Sequence, residues 1–350
     1  MINKKEKVQI LDGPTPLEYL PRVSEELGVE FYIKRDDMTP LAAGGNKIRK
    51  LEYSIKEALD TGCTMILTVG GVQTNHGRLT AAAAAKFGLK CAIVTVGTYP
   101  GEVSANLLLD RILGADVIIV DPEAAGEGFD KAAEAYIKKY EAEGEKVYYL
   151  RVGGSDKTGM LGYYDCALEI KQQMKDLGIE DARVMTTVGS LGTYMGLYCG
   201  LRDTENDTES ALPAPKLTGI SIMPYGETNK EDAVRQFKNA KEAYGFDFDA
   251  GWDDFDIRLD YTQGAYNNPV KEVRDAITLM ARKEGILLDP CYTGKSFAGI
   301  IRMIDEGLIQ KGETIIFVHT GGMPGLYTKH HREAFEEELK DGIIQTTCLP

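Results

Sequence analysis

Apolar and polar positions along the chain alternate in blocks that are typical of an α/β protein. Short apolar runs, such as 64–69 and 91–96, are separated by longer stretches with helical periodicity. Further strands are predicted at 31–37, 116–120, 146–150, 184–187, 217–223 and 314–318, and helices at 47–59, 78–87, 103–113, 129–143, 159–175, from 193, at 230–243, at 270–284 and from 295. Apolar strands that alternate with helices indicate βαβ units and a buried parallel sheet. Residues 203–215 and 245–260 are polar, and we expect irregular connections there.

The size and charge of the chain narrow the class of protein. Its 350 residues exceed one ordinary domain and suit two. Apolar residues make up 43% of the chain and charged residues 27%, as in an ordinary globular protein. The net charge of −14 argues against nucleic-acid partners and anionic membranes, because both need basic patches. No run reaches the roughly 18 apolar residues of a membrane span.

Cysteine and histidine spacing predicts neither a disulfide framework nor a metal site. The six cysteines are scattered without a C-x-x-C pair, which favours reduced, mostly buried thiols in a cytoplasmic protein. The histidines share no metal-ligand spacing with them, so we expect no metal. Residues 1–6 are basic, but no apolar stretch follows, so we expect no signal peptide.

The segment 43–53 places Lys47 at the start of a predicted helix. Gly44, Gly45 and Asn46 before it are turn or cap formers. Backbone N–H groups and the positive end of the helix dipole favour the neutral amine there, and a neutral amine can form a Schiff base with an aldehyde. The alternative for this segment alone is a solvated lysine at a helix start.

Glycine-rich loops directly after strands are the second candidate feature. The loop 187–193 follows a strand and opens a helix, so its N–H groups, the helix dipole and the hydroxyls of Ser190 and Thr193 suit a phosphate. An ordinary tight turn is the alternative. A P-loop is excluded at 294–296, because Asp289 stands where its first glycine is required, and no G-x-G-x-x-G opens a helix. The segment 153–157 fails the nucleophile-elbow pattern at Lys157.

Five segments taken together resemble one family of enzymes. In chain order they read GGNKIRKLEY, GGVQTNHGR, TVGSLGTYMGL, DPCYTGKSFAG and HTGGMPGLY. They are similar to the pyridoxal-phosphate enzymes of the D-cysteine desulfhydrase and 1-aminocyclopropane-1-carboxylate deaminase family, which has the tryptophan-synthase-β fold type. The resemblance extends from about Leu11 to Tyr327.

This resemblance implies a fold and a cofactor. The expected fold is two doubly wound α/β domains with pyridoxal 5′-phosphate between them. The smaller domain is expected at 52–158, and the larger one combines 1–51 with 159–350. A homodimer is implied as well.

The resemblance also implies roles for the cofactor site. Lys47 matches the Schiff-base lysine, which later moves protons at the substrate α-carbon. The phosphate cup matches Gly189, Ser190, Leu191, Gly192 and Thr193. This loop contains no lysine or arginine, so we expect backbone N–H groups to hold the phosphate unaided. Thr293 matches the residue that faces the pyridine nitrogen.

Substrate-side residues are implied in the same way. Asn75 matches a residue that contacts the cofactor ring or the substrate carboxylate. Gln73, Thr74 and His76 belong to the same carboxylate-binding loop. Thr74 departs from the family pattern, which has serine, and its extra methyl group is expected to narrow the site. Two active-site tyrosines match Tyr266 and Tyr292, for which core packing is the alternative. Catalysis is expected to involve Lys47, Thr74, Tyr266 and Tyr292.

The leading functional hypothesis is β-elimination from a small D-amino acid. D-cysteine would give pyruvate, sulfide and ammonia. The alternatives are a cyclopropane-opening deaminase, a lyase with another leaving group and a non-catalytic binding protein, which has no need of a Schiff-base lysine. Cyclopropane-opening relatives have glutamate where this chain has Thr293. A neutral hydroxyl there makes the ring a weaker electron sink, and this favours elimination.

Overall fold

The computed structural model describes residues 2, 4–126, 128–203, 214–268 and 270–346. Within these residues the strands form two sheets, and helices cover both faces of each. The strands are β1 (Leu17–Tyr19), β2 (Glu30–Lys34), β3 (Met65–Gly70), β4 (Lys90–Val96), β5 (Asp116–Val120), β6 (Val147–Leu150), β7 (Arg183–Val188), β8 (Lys216–Ser221), β9 (Ile257–Arg258) and β10 (Thr314–Val318). The helices are α1 (Pro21–Leu27), α2 (Lys47–Asp60), α3 (Asn75–Lys86), α4 (Ala105–Ile112), α5 (Pro122–Ala125), α6 (Asp130–Ala142), α7 (Lys157–Leu177), α8 (Gly192–Arg202), α9 (Glu227–Tyr244), α10 (Lys271–Glu284), α11 (Thr293–Asp305) and α12 (Lys329–Leu339).

The larger sheet has the order β1-β2-β10-β7-β8-β9 and is parallel except for the pair β1 and β2. Its central strands are apolar on both faces because helices cover both. On β10, Ile316 and Val318 pack with α7, α8 and α9, whereas Ile315 and Phe317 pack with α1, α10 and α11. Two-sided burial therefore explains the continuous apolar run in this strand.

The smaller sheet has the order β5-β4-β3-β6 and is parallel throughout. Ile66 and Ile93 pack against α2 and α3 on one face, and Leu67 and Val94 pack against α6 on the other. The alanine run 81–85 gives α3 a small-residue face on the sheet. The predicted α/β class with two parallel sheets is confirmed.

Several helices begin earlier than predicted, because a polar side chain before each one accepts N–H groups of the first turn. Thr74 Oγ1 accepts from Gly77 N at 3.2 Å and begins α3. Asp156 Oδ1 accepts from Gly159 N at 2.7 Å and begins α7. Asp289 does the same for α11. Such capping replaces partners that the first turn of a helix lacks.

Five short or polar elements were not predicted, namely β1, α1, α5, β9 and α12. The predicted strand at 31–37 is wrong at its end, since β2 stops at Lys34 and Asp36–Met38 form a 3-10 turn. Buried Asp36 accepts hydrogen bonds from Arg49 and Thr15 there, so its charge is compensated inside the protein. A polar residue with such distant partners gives no local signal.

The limits of the smaller domain, 52–158, remain a prediction. All strands of the smaller sheet that the structure describes lie within them, but both limits fall inside helices, α2 and α7, which pack on each other. Residues 204–213 of one predicted irregular connection lie outside the described residues, and the other contains β9. No helix in the described ranges is both long enough and apolar enough to span a bilayer.

Candidate active site

Lys47 follows a loop with an unusual backbone. Residues 41–45 all have left-handed φ values, from 41° at Ala42 to 131° at Gly45. Leu41, Ala42 and Ala43 are not glycine, and each such residue stores on the order of 1 kcal/mol of strain or more. Surrounding contacts must hold this loop, and it delivers Lys47 to the first position of α2.

The amine of Lys47 is linked through one side chain to the predicted phosphate cup. Lys47 Nζ donates to Asn46 Oδ1 at 3.1 Å, and Asn46 Nδ2 donates to Thr193 Oγ1 at 3.0 Å. Burial lowers the pKa of Lys47 to about 8. A large fraction of the amine is therefore neutral near pH 8, and the neutral form attacks aldehydes.

The predicted phosphate cup, Gly189–Thr193, connects β7 to α8. Leu191 within it has a left-handed φ of 70° although it is not glycine. Tyr225 donates its hydroxyl proton to the carbonyl oxygen of Gly189 at 2.6 Å. The first N–H groups of α8 lack partners within the helix, and with the helix dipole they favour an anion.

A buried lysine, which the sequence reasoning missed, lies beside this loop. Lys50 Nζ donates to the carbonyl oxygen of Gly153 at 3.0 Å and to Ser155 Oγ at 3.5 Å. Ser155 Oγ in turn donates to Ser190 Oγ at 2.7 Å. Burial lowers the pKa of Lys50 well below its usual value, and Lys47 nearby adds to this. The expectation that backbone N–H groups hold the phosphate unaided stays a prediction, and Lys50 is a candidate additional donor beside the loop.

At Gly192 the backbone of the loop passes close to the side chains of Ser155 and Lys50. A Cβ atom at Gly192 would lie 2.7 Å from Ser155 Oγ and 2.9 Å from Lys50 Nζ. A side chain at position 192 would therefore clash with the hydroxyl of Ser155 and the amine of Lys50. Lys47, Asn46, Lys50, Ser155 and the loop 189–193 are called the anchor cluster below.

Thr74 and His76 face the protein interior at the start of α3. The space beside Thr74 is open only because residues 70 and 77 are glycines, since a Cβ atom at Gly77 would lie 2.4 Å from Thr74 Cγ2. The extra methyl group thus packs against Gly77. His76 Nε2 lies 2.9 Å from Thr68 Oγ1, whose proton goes to the carbonyl oxygen of Leu150. Nε2 is therefore the donor, and burial lowers the pKa of His76 well below its usual value.

Gln73 and Asn75 contact the start of α4. Gln73 Oε1 accepts from Asn106 N at 2.9 Å, and its Nε2 donates to the carbonyl oxygen of Ser104 at 3.2 Å. Asn75 Oδ1 accepts from Asn106 Nδ2 at 2.9 Å. The side-chain amide of Gln73 therefore fixes a neighbouring helix.

Tyr266 and Tyr292 form a pair, with their hydroxyl oxygens 2.5 Å apart. Burial raises the pKa of Tyr292 well above its usual value, and Tyr266 adds to the effect. The Tyr292 ring lies near the anchor cluster, since its Cε1 atom is 3.9 Å from the position of a Cβ atom at Gly189. Both hydroxyls stay protonated at neutral pH; one proton lies in the hydrogen bond between them, and the other can be donated to a ligand.

Thr293, at the first position of α11, has its hydroxyl engaged by Asp289. Thr293 Oγ1 donates to Asp289 Oδ1 at 2.8 Å and accepts from Asp289 N at 2.9 Å. Asp289 also accepts from the backbone N–H groups of Cys291 and Tyr292. Burial raises the pKa of the Asp289 carboxyl, and these hydrogen bonds oppose the increase.

A cleft of about 470 Å³ brings the substrate-side residues together. Gln73, Asn75, Asn106, Tyr266 and Tyr292 line it, with Glu102, residues 328–331 and Glu333 as further lining residues. Lys47, Thr74, His76, Thr293 and the loop 189–193 are not among its lining residues. The site thus consists of the anchor cluster and an adjoining cleft.

Two lysines other than Lys47 lie near these motifs, and their positions differ. Lys50 could have been found from the sequence, because residues three apart on a helix share a face. Lys295 is tied up, since its Nζ donates to the carbonyl oxygens of Ile222 at 2.8 Å and Ala265 at 2.6 Å. It therefore supports the segment before Tyr266. Among the described residues, no group of three or more His, Cys, Asp or Glu side chains is arranged to hold a metal.

Comparison with known proteins agrees with this geometry. The family described as "Pyridoxal-phosphate dependent enzyme" matches residues 8–321. A D-cysteine desulfhydrase of Klebsiella pneumoniae (strain 342) is 40% identical over 93% of this chain and 96% of its own length. A Pyrococcus abyssi (strain GE5 / Orsay) protein, provisionally named 1-aminocyclopropane-1-carboxylate deaminase, is 36% identical over 97% and 98%. The crystal structure of an ACC deaminase homologue superposes with a TM-score of 0.84 at 35% identity, covering 95% of this chain and 96% of that one.

The chain therefore belongs to the pyridoxal-phosphate-dependent enzymes of fold type II. Within them it is a member of the 1-aminocyclopropane-1-carboxylate deaminase and D-cysteine desulfhydrase family.

The residues present fit the cofactor of this family. The anchor cluster offers a buried amine of lowered pKa for an aldehyde. It also offers hydroxyl, amine and N–H donors around Gly192 for a phosphate. The contact between Gly189 and Tyr292 connects this donor set to the cleft.

Proposed function

We propose that this enzyme catalyses β-elimination from a small D-amino acid, with D-cysteine as the preferred substrate. The overall reaction converts D-cysteine and water into pyruvate, hydrogen sulfide and ammonia. Three observations support it: the neutral hydroxyl at Thr293, the paired tyrosines at the cleft and the 40% identity to a D-cysteine desulfhydrase. The hydroxyl of Thr293 is the most important of the three, because it favours a substrate whose leaving group takes the electron pair away.

Bound pyridoxal phosphate supplies an aldehyde for the substrate amino group and a ring that takes up the electron pair left when the α-proton is removed. The chain's own residues do the rest. Lys47 Nζ is the proposed attachment point and afterwards accepts the α-proton. Lys50, Ser190, Thr193 and the start of α8 hold the phosphate. Tyr292, kept protonated by its raised pKa, is placed to donate a proton to the departing sulfur.

The engaged hydroxyl of Thr293 supports elimination over ring opening. Its proton goes to Asp289, so it offers no acid to the pyridine nitrogen. A ring without a full proton is a weaker electron sink. Elimination tolerates this, because sulfide carries the electron pair away as the Cβ–S bond breaks. Opening a cyclopropane provides no such leaving group.

The test is a comparison of keto-acid release from several amino acids. The panel contains D- and L-cysteine, D-serine, β-chloro-D-alanine, cysteate and 1-aminocyclopropane-1-carboxylate. We expect pyruvate and sulfide in equal amounts from D-cysteine and little 2-oxobutyrate from the cyclopropane substrate. Equal or faster turnover of the cyclopropane amino acid would overturn the proposal.

A cyclopropane-opening deaminase is the second candidate. Two similar proteins favour it by name, the Pyrococcus abyssi protein and the crystallised ACC deaminase homologue. A Thr293→Glu variant separates the candidates. If the hydroxyl limits ring opening, this variant gains activity on the cyclopropane substrate and loses it on D-cysteine.

A further inference from the structure

Asn106 lies at the centre of a hydrogen-bond network between the two parts of the site. The side chain of this α4 residue is 1% exposed. Its Nδ2 group donates to the carbonyl oxygen of Gln73 and to Asn75 Oδ1, both at 2.9 Å. Its Oδ1 atom accepts from Arg78 Nε at 2.8 Å. Both amide protons and one acceptor position are therefore used.

The orientation of the Asn106 amide follows from its partners. Arg78 can only donate, so it must face the Asn106 oxygen. The carbonyl of Gln73 can only accept, so it must face the nitrogen. These two constraints agree, and they leave one proton of Asn106 directed at Asn75. The atom of Asn75 that receives it must be an acceptor, which is Oδ1.

This arrangement sets what Asn75 presents to the cleft. Because Oδ1 of Asn75 is taken by Asn106, its NH₂ group is the part available to a ligand. An NH₂ group only donates, so it suits an oxygen anion such as a carboxylate or a phenolate. The opposite orientation would present an oxygen and repel the same anion.

Arg78 connects the network to the strained loop before Lys47. This α3 residue is fully buried, and its guanidinium donates to the carbonyl oxygens of Ala42 and Gly44, the latter at 3.1 Å. The loop 41–45 has left-handed φ values throughout and needs outside contacts to hold it. One side chain thus touches both the loop that delivers Lys47 and the amide that orients Asn75.

We propose that Asn106 and Arg78 are positioning residues that fix the amide of Asn75 with its NH₂ group toward the ligand. The inference rests on the proposed function for its assignment of the ligand site. Arg78 orients Asn106, and Asn106 orients Asn75. Neither residue has to touch the substrate.

A double-mutant cycle between Asn75 and Asn106 tests the proposal. The variants N75A, N106A and N75A/N106A are titrated with pyridoxal phosphate after removal of bound cofactor, and the KM for D-cysteine is measured separately. In each single variant, either the dissociation constant of pyridoxal phosphate or the KM for D-cysteine is expected to rise about tenfold. This is the effect of losing one hydrogen bond to a charged group. In the double variant the same constant should weaken about tenfold relative to the parent, which is no more than in either single variant, because both changes remove the same contact.

An aspartate at position 106 provides a second, nearly isosteric test. N106D keeps the acceptor for Arg78 but has no proton for Asn75, which must then turn its NH₂ group toward residue 106. The Asn75 oxygen would face the ligand, so we expect a larger loss than in N106A, about a hundredfold. N229D serves as the control, because Asn229 is an exposed helix-capping amide outside the site and its change should leave both constants unaltered.

Three outcomes would overturn the proposal. The first is a double variant whose loss equals the product of the single losses, about a hundredfold, since Asn106 would then act independently of Asn75. The second is an N106D variant no worse than N106A. The third is an N75A variant with unchanged constants. A failure of the proposed function is distinguishable, because it would show as parent enzyme that releases no pyruvate and sulfide from D-cysteine, while the titrations with pyridoxal phosphate still compare the variants.

Discussion

The anchor cluster and the cleft are built in different ways. In the anchor cluster, contiguous motifs at the ends of strands or starts of helices supply Lys47 and the loop 189–193. The cleft takes side chains from α3, α4, the segment 266–267 and the start of α12, which are far apart in sequence. The first region provides chemistry that all pyridoxal-phosphate enzymes need. The second region, in our proposal, provides the choice of substrate.

Charge distinguishes the two regions as well. The anchor cluster concentrates amines, and burial lowers the pKa of both Lys47 and Lys50. A bound phosphate would compensate these amines, so the region is expected to be completed by its cofactor. The cleft presents the neutral amides of Gln73 and Asn75 and the phenol of Tyr292, and its lining also includes charged side chains of both signs, such as Glu102 and Lys329. The neutral groups orient a substrate through donated protons and need no counter-ion.

The largest expected effect comes from removing Lys47. K47A should lose at least about a thousandfold in D-cysteine turnover, because both the attachment point and the proton acceptor disappear. Borohydride reduction of the parent followed by peptide mapping should place a pyridoxyl group on Lys47. The buried Lys295 is the internal comparison, since both its contacts are to backbone carbonyls. A label on Lys295 would contradict the assignment.

The next effect separates the cleft from the anchor cluster. Y292F should lower kcat/KM for D-cysteine about a hundredfold by removing a proton donor, within the usual range for acid catalysis. Its affinity for pyridoxal phosphate should stay near that of the parent. Y261F is the matched control, because Tyr261 donates to Glu306 at 2.6 Å away from the cleft. Equal losses in turnover and cofactor affinity for Y292F would show that the cleft does not act on the substrate separately from cofactor binding at the anchor cluster.

Replacing Lys50 tests the anchor cluster, where we expect the change to affect cofactor affinity. K50M should raise the dissociation constant of pyridoxal phosphate about thirtyfold, the effect of one charge-assisted hydrogen bond. In the parent, affinity should also weaken as pH rises, because the amine has a lowered pKa and must take up a proton to pair with the phosphate. K56M on the same helix is the control, since Lys56 pairs with Asp60 at the surface. If K50M binds pyridoxal phosphate as tightly as the parent, then Lys50 does not hold the phosphate and the backbone N–H groups alone do so.

The same comparison explains what the sequence could predict. The loop 189–193 directly follows β7, and Lys47 follows two glycines and an asparagine at a helix start, so local patterns of glycines, hydroxyls and helix starts identify both. Lys50 lies three residues after Lys47 on α2, so helical periodicity could have identified it. Asn106 gives no local signal, because its partners lie 28 to 33 positions away and meet it only when α3 packs against α4. The periodicity of the sequence could not predict such tertiary contacts between polar groups.

The smallest effect concerns a buried carboxyl group on α4. Asp110 on α4 is fully buried, and neither of its carboxylate oxygens has a hydrogen-bond partner among the described residues. Burial raises its pKa from 3.8 to about 7, although Arg78 opposes the increase. The folded protein therefore holds a proton that the unfolded chain releases, so stability from this group is full below pH 3.8 and is lost as the pH rises through about 7.

D110N should abolish that pH dependence, because asparagine is neutral at every pH. Relative to the parent, the variant should gain about 2 kcal/mol in the free energy of unfolding between pH 5 and pH 8, since one unit of pKa shift corresponds to about 1.4 kcal/mol. Arg78 keeps its charge over this range, because burial lowers its pKa only to about 10. Denaturant unfolding at the two pH values measures the difference, and the exposed D60N change on α2 is the control. Parallel pH profiles for D110N and the parent would mean that Asp110 stays ionised in the folded protein and that water or Arg78 compensates its charge fully.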